Sequence, residues 1–525
     1  MTRFSTLGHL TIFYTSLLVL SQSSYPTLSA STPITIDNIN LDTVLYPLSS
    51  TYLAINIDTG SLYNNFDFTN PILINLFKTL APTLLRVGGG AADSTLYTGD
   101  DGISGNGGNN PWSNTVVFNS SYWDTIINFV QQSNSQLVWD LNGVLRNNQN
   151  QWDPTMNATA IFDHIVKNHQ ESYIKGFQLG NEPTLWKKRG INVDGKQLGN
   201  DYITLSKLLQ TQYPTLPNII YGPDGCCGDD SFLQDFLPVV YNGKALHYLS
   251  EHYYPITPNG PACNVNDYLN KSYYDNTLHI MDGYQDLLNK YAPSIPLVLG
   301  ETATTNMGGC PNFSDRYIAG FYFLYILGAA ASNGIVQINR QDLAGWSSQT
   351  EPSQYMLAGL PGWTNGTLPP HPDYYTAVLW QQIIKQGVLN ITWSSTYQNN
   401  FGIHAACANS QLYGSGSIVL TYINTGSDNL QINFNQNTLT QSSRTQFILT
   451  SQTALSTMKN LHAPPSSLTD DTIFLNGNLL TVNNNGTLPQ YPIPGQSVSN
   501  TSPLQVPAYS YGFIVLNNAN AQACM

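Results

Sequence analysis

The chain has 525 residues, with 19 Lys and Arg against 32 Asp and Glu, so its formal net charge is −13. Only 10% of its residues are charged, against roughly 25% in an ordinary soluble protein, and Asn, Ser, Thr, Gln and Tyr take the place of the missing charge. So acidic and cation-poor a chain is a weak partner for a phosphate backbone, which excludes nucleic acid. Sparse charge also excludes a coiled coil, and 32 Tyr, 19 Phe and 9 Trp exclude disorder.

Residues 1–30 read as a secretory signal: Arg3, an apolar run of 11 residues over 10–20, and small residues at Ser29-Ala30. That run is too short to span a bilayer, which takes ~20 apolar residues, and no later stretch competes with it, so no integral membrane segment is expected. Eight Asn-x-Ser/Thr sequons, at Asn119, Asn157, Asn270, Asn312, Asn365, Asn390, Asn485 and Asn500, suit an exported protein. A lysosomal-type compartment is served by the same signal. Six cysteines allow a few disulfides but no zinc knuckle, because the only close pair, Cys226-Cys227, is adjacent.

Residues 31–50 form an N-terminal segment expected to pair with a C-terminal β-sandwich. From 51 to 386, buried-strand runs alternate with helical patterns. The runs are 52–58, 83–87, 136–142, 176–179, 219–222, 245–254, 296–300 and 334–339; amphipathic stretches such as 159–169, 199–213 and 274–291 lie between them. Eight strand–helix units predict a (β/α)8 barrel of the α/β class. The Gly/Asn-rich stretch 99–111 reads as a loop, with no strand and helix to frame it as a phosphate loop. From 387 to 525, short alternating strands separated by Asn, Gly and Pro turns predict a β-sandwich.

Two short motifs close predicted strands, Gly180-Asn181-Glu182-Pro183 and Gly300-Glu301-Thr302. In a parallel barrel every strand opens onto one face, so the two carboxylates, on the fourth and seventh strands, face one cleft. Glycoside hydrolysis requires such a pair: one carboxylic acid to protonate the leaving oxygen, one carboxylate to attack the anomeric carbon. Asn181 is suited to bond the sugar 2-hydroxyl. His247 and His252 stand five apart, which denies them a common helical face, so no metal site is expected. His252 and Tyr254 are placed on the cleft wall, where a phenol can hold the nucleophile.

In order along the chain, Ile57-Asp58, Leu85-Arg86-Val87-Gly88-Gly89, Asp140-Leu141-Asn142-Gly143, Leu179-Gly180-Asn181-Glu182-Pro183 and Tyr221-Gly222-Pro223-Asp224 are followed by His252-Tyr253-Tyr254, Leu299-Gly300-Glu301-Thr302 and Arg340-Gln341. This series resembles the heparanase-like family of retaining β-glucuronidases, glycoside hydrolase family 79. The resemblance implies Glu182 as general acid/base and Glu301 as nucleophile, with no cofactor. It implies Asp58, Asn181, Tyr254 and Gln341 as substrate contacts, to which the cleft-side His252 and the cation Lys188 beyond the acid/base are added. Gly308, Gly309 and Tyr355 match positions that grip a uronate through backbone N–H groups and a phenol, although Asn306-Met307-Gly308-Gly309 departs from the family's tyrosine–glycine run. Cys407 and Cys524 match the family's sandwich disulfide, and Cys263–Cys310 is a second possible bridge.

The departures bear on substrate. Forty-seven positions separate Gly90 from Leu137, too few for the excised linker of the heparan-cleaving members, so a single uncleaved chain is expected; a monomer is the separate expectation for its assembly. Where those members are arginine-rich, this chain reads Gly225-Cys226-Cys227-Gly228-Asp229-Asp230. The expected partner is a glucuronate-containing glycan or glycoside of low charge. Endo-cleavage of heparan sulfate and carbohydrate binding without catalysis are the alternatives.

Overall fold

The computed structural model describes residues 32–99, 116–228, 230–256, 263–348, 350–440, 442–451 and 464–525. The predicted signal at 1–30 and all of the 99–111 loop except Gly99 lie outside them. Eight parallel strands make the barrel: β1 (Leu53–Asp58), β2 (Leu84–Gly88), β3 (Gln136–Leu141), β4 (Ile174–Leu179), β5 (Tyr221–Gly225), β6 (Tyr248–His252), β7 (Leu297–Thr302) and β8 (Gln337–Arg340). Hydrogen-bonded neighbours run β4-β3-β2-β1-β8-β7-β6-β5. The ring closes where Phe177 of β4 pairs with Ile220 just before β5 and Phe177 N–H donates to the Ile219 carbonyl. The predicted (β/α)8 barrel is thus the observed one.

Helices on the outside and side chains inside leave β1, β2, β5 and β7 buried along their whole length. Asn and Asp side chains start several of the helices: Asn70 accepts from the Ile72 and Leu73 N–H groups at Pro71–Thr79, and Asp194 from Gln197 N–H at Gly195–Thr211. The barrel interior is apolar toward the strand N-termini. Toward the C-termini it turns polar, with Asn56, Asp58, Arg86, Asp140, Gln178, Asp224, His252 and Glu301 all buried.

Helix Pro372–Ile383 leads directly into Ile384–Leu389, a strand of the larger sandwich sheet. The smaller sheet is built around Thr32–Ile39, which pairs antiparallel with Ile391–Ser394 and parallel with Leu430–Phe434. Ile34, Ile36, Leu420, Leu430, Val506 and Ile514 share the core between the two sheets. Helix Ala319–Ser332, buried at nearly every position, joins barrel to sandwich. Just before it, Tyr317 donates its hydroxyl to the Leu449 and Tyr509 carbonyls. Disulfides connect Cys407 to Cys524 and Cys263 to Cys310, and a third joins the neighbours Cys226 and Cys227. Among the described residues no helix is long and apolar enough to cross a membrane, and no cluster of ligating side chains could hold a metal ion.

Candidate active site

Arg86 rises from β2 into the centre of the polar end and is wholly buried. A guanidinium removed from water must have its donors filled, and three strands and the turn after β4 supply acceptors. Nε donates to Gln178 Oε1 at 2.8 Å and Nη1 to Glu301 Oε2 at 2.8 Å; Nη2 donates to Asn181 Oδ1 at 3.0 Å and to Asp224. Asp224 also accepts from Gln178 Nε2 and Ser250 Oγ, each at 2.6 Å. Burial alone would push Asp224 up, but Arg86 and His252 overcome it and hold the carboxyl down at about 2.

Glu182 follows β4 in a left-handed conformation (φ 48°, ψ 60°), uncommon for a side chain of its size. Its N–H is anchored on the Asp224 carbonyl at 2.8 Å. Gly180 before it also has positive φ (75°), and a Cβ there would strike the Trp186 ring, so glycine is required. Asp93, from the loop after β2, clamps this turn. Its carboxylate accepts from Gly143 N–H (3.1 Å), Asn181 N–H (3.2 Å) and Trp186 Nε1 (2.9 Å).

Glu301 ends β7 with its two oxygens held separately. Arg86 binds Oε2, and the Tyr254 hydroxyl donates to Oε1 at 2.5 Å. His252 stands between the two glutamates, with Nδ1 3.2 Å from Glu182 Oε1 and 3.9 Å from Glu301 Oε2, while Nε2 lies 3.1 Å from Asp224 Oδ1. Burial would lower the imidazole, but Asp224 and Glu301 raise it well above its ordinary value. The Glu182 side chain keeps 23% of its surface exposed and that of Glu301 10%. A paired acid and fixed carboxylate at the mouth of a barrel can carry acid/base and nucleophilic chemistry on one substrate.

The model of the glycosyl hydrolase family 79 N-terminal domain matches residues 50–328, which is more than half of the chain. The chain belongs to glycosyl hydrolase family 79. It is 30% identical to a heparanase of Gallus gallus over 78% of this chain and 73% of that protein. It is 25% identical to a hyaluronoglucuronidase of Hirudo nipponia over 94% and 99%. Among solved structures, a 4-O-α-L-rhamnosyl-β-D-glucuronidase from Fusarium oxysporum superposes with a TM-score of 0.61 at 15% identity, covering 92% of this chain and 99% of that one. The family 79 chain is a glycoside hydrolase.

Around the two glutamates of this family 79 enzyme lie most of the residues expected to meet substrate. Asp58 Oδ1 accepts from Gly60 N–H at 2.7 Å and Oδ2 from Gln341 Nε2 at 3.2 Å. Tyr355 stacks on Tyr254 with ring centroids 6.3 Å apart and lies against Gly309. Three of the expected residues are placed as follows. His252, at 2% exposure, lies against the carboxylates of Glu182 and Asp224. The Gly309 N–H already donates to the Asn306 carbonyl at 3.1 Å, because this loop closes in a tight turn. Lys188 is exposed on the segment Pro183–Arg189, with no hydrogen bond or ion pair to the cluster. Arg86 and Asp224 stood in quoted motifs without a role, and nothing in its neighbourhood marked Asp93.

Proposed function

We propose that the enzyme is a secreted, retaining β-glucuronidase acting on glucuronides of low charge. Glu301 attacks the anomeric carbon while Glu182 gives its proton to the departing oxygen; water then gives a proton to Glu182, attacks the same carbon and releases Glu301. The observation that carries this reading is the sharing of His252, which keeps Glu182 Oε1 and Glu301 Oε2 no more than about 7 Å apart. That bound, set on the two oxygens facing the imidazole, is compatible with the separation of about 5–5.5 Å used for retention. A nucleophile must attack along one line, and Glu301 has each oxygen fixed. An acid/base must exchange protons with water, and Glu182 is the more open of the two.

Arg86 occupies Asn181 Oδ1, leaving the amide NH2 to donate to a sugar hydroxyl. Tyr355 and the Gly308 N–H are left to receive the uronate carboxylate. A net charge of −13 and the Cys226-Cys227 segment favour weakly charged chains over a sulfated polyanion, in keeping with the name of the Hirudo relative. The 30% identity to a heparanase supports the second reading, endo-cleavage of heparan sulfate. Release of 4-nitrophenol from 4-nitrophenyl β-glucuronide, abolished in Glu182→Gln and Glu301→Gln, is expected. Full turnover in either variant contradicts the mechanism, and shortening of heparan but not of hyaluronan chains favours the second reading.

A further inference from the structure

Glu301 and Glu182 are held in different ways. Side chains fix Glu301 at each oxygen, through Arg86 and Tyr254. Glu182 is met by His252 at 3.2 Å and keeps 23% of its side chain exposed, so its aim is set chiefly by its backbone. That backbone stands at φ 48°, ψ 60°, where a glutamate persists only if its surroundings over-determine it. Two ties are its own: its N–H donates to the Asp224 carbonyl and its carbonyl accepts from Leu185 N–H, each at 2.8 Å. Further ties reach it through the residue before it and converge on Asp93.

Asp93 is 1% exposed and lies in the short turn Ala92–Ser94 after β2. Its Oδ1 accepts from Gly143 N–H, on the loop after β3. Its Oδ2 accepts from Asn181 N–H and Trp186 Nε1, on the loop after β4. Three consecutive loops of the barrel mouth therefore meet at two oxygens. Trp186 Nε1 also donates to the Asn181 carbonyl at 3.0 Å, so the residue before Glu182 has both its N–H and its carbonyl held. The indole closes the space beside Gly143 and Gly180, where a Cβ would lie 2.7 and 2.4 Å from the ring. Removing the Asp93 oxygens leaves buried donors without acceptors, and the turn that carries Glu182 must rearrange to satisfy them. A shift of about 1 Å at a reacting group is enough to cost about 100-fold in rate.

We infer that Asp93, together with Trp186, is a positioning residue for proton transfer by Glu182, and that its loss impairs acid catalysis more than nucleophilic attack. The inference rests on the glucuronidase reading, in which Glu182 is the acid and Glu301, anchored elsewhere, is the nucleophile.

The test uses leaving groups that differ in their need for a proton. A strongly acidic phenol departs unaided, whereas a weakly acidic one depends on the general acid. Since kcat/KM reports the steps up to bond cleavage, it is measured for phenyl and for 2,4-dinitrophenyl β-glucuronide. Wild type is compared with Asp93→Ala, with Trp186→Phe and with Glu182→Gln, which marks the effect of losing the acid itself. Asp93→Ala is expected to lower the phenyl value by about 10- to 100-fold and the dinitrophenyl value by far less. Trp186→Phe keeps Asp93 and an aromatic ring should the alanine variant fold poorly, and it shifts the ratio the same way by a smaller factor. A ratio that stays at the wild-type value in both variants, whether the two activities persist or fall together, overturns the positioning role, because loss of folded enzyme lowers both values alike. A ratio unmoved in Glu182→Gln, or wild type inactive on both substrates, overturns the glucuronidase mechanism itself.

Discussion

Tyr254 shows how one side chain can be separated from the machinery it serves. Its hydroxyl donates to Glu301 Oε1 at 2.5 Å, while Arg86 independently holds Oε2. Removing the phenol oxygen frees one end of the Glu301 carboxylate yet leaves the ring stacked on Tyr355. Tyr254→Phe is therefore expected to fold normally and to lose kcat by about 10- to 1,000-fold, the range for a single donor at a reacting centre, with a smaller change in KM. Steady-state kinetics on a nitrophenyl glucuronide measure this, and an unaltered kcat contradicts the role. Arg86 is less separable, because its loss would strand Asp224 and Glu301 in a buried site. Asp93 acts through others: it touches the Asn181 N–H and Trp186, not the cleft.

At the scale of the element, the barrel strands were legible because parallel strands buried on both faces write continuous apolar runs. Both glutamates stand at the ends of the fourth and seventh strands as expected. Strand β5 was harder: it continues through Gly222-Pro223-Asp224-Gly225, a string that reads as a turn, because pairing with β6 overrides local preference. Helix Ala319–Ser332 has apolar residues on every side and so lacks the periodicity that marks a surface helix. The clamp by Asp93 was illegible because it depends on three donors from two distant loops, Gly143 and the 181–186 turn. The sequon at Asn157 likewise gave no warning that its Nδ2 donates to the Tyr97 carbonyl at 2.9 Å while the residue stays buried, which denies the site to a glycan.

The molecule as a whole stores protons. Burial pushes Asp93 up to about 7, and Glu251 and Asp342 each up to about 8; the unfolded carboxyls titrate near ~4. Between those limits the native state binds more protons than the unfolded chain, so stability falls as pH rises. His252 adds to the same trend, since its raised pKa gives stability that is full below ~6.5 and lost above it. Asp224, held at about 2, acts oppositely, but only as pH falls below ~4. The melting temperature is therefore expected to be highest near pH 4–5 and to decline steadily to pH 8; a rise over that range in calorimetry contradicts the assignment. The sparse charge of the chain, −13 in net, acts on this scale as a field that disfavours a dense polyanion.

The central claim is that Glu301 forms the covalent bond and Glu182 moves the proton. Incubation with a 2-deoxy-2-fluoro-β-glucuronyl fluoride, whose fluorine slows breakdown of the glycosyl-enzyme, tests it most directly, read by mass spectrometry of the digested protein. The account predicts one glucuronyl adduct, on the peptide that contains Glu301 and on that residue. An adduct on Glu182, or turnover of the reagent through product of inverted configuration with no adduct, would contradict it.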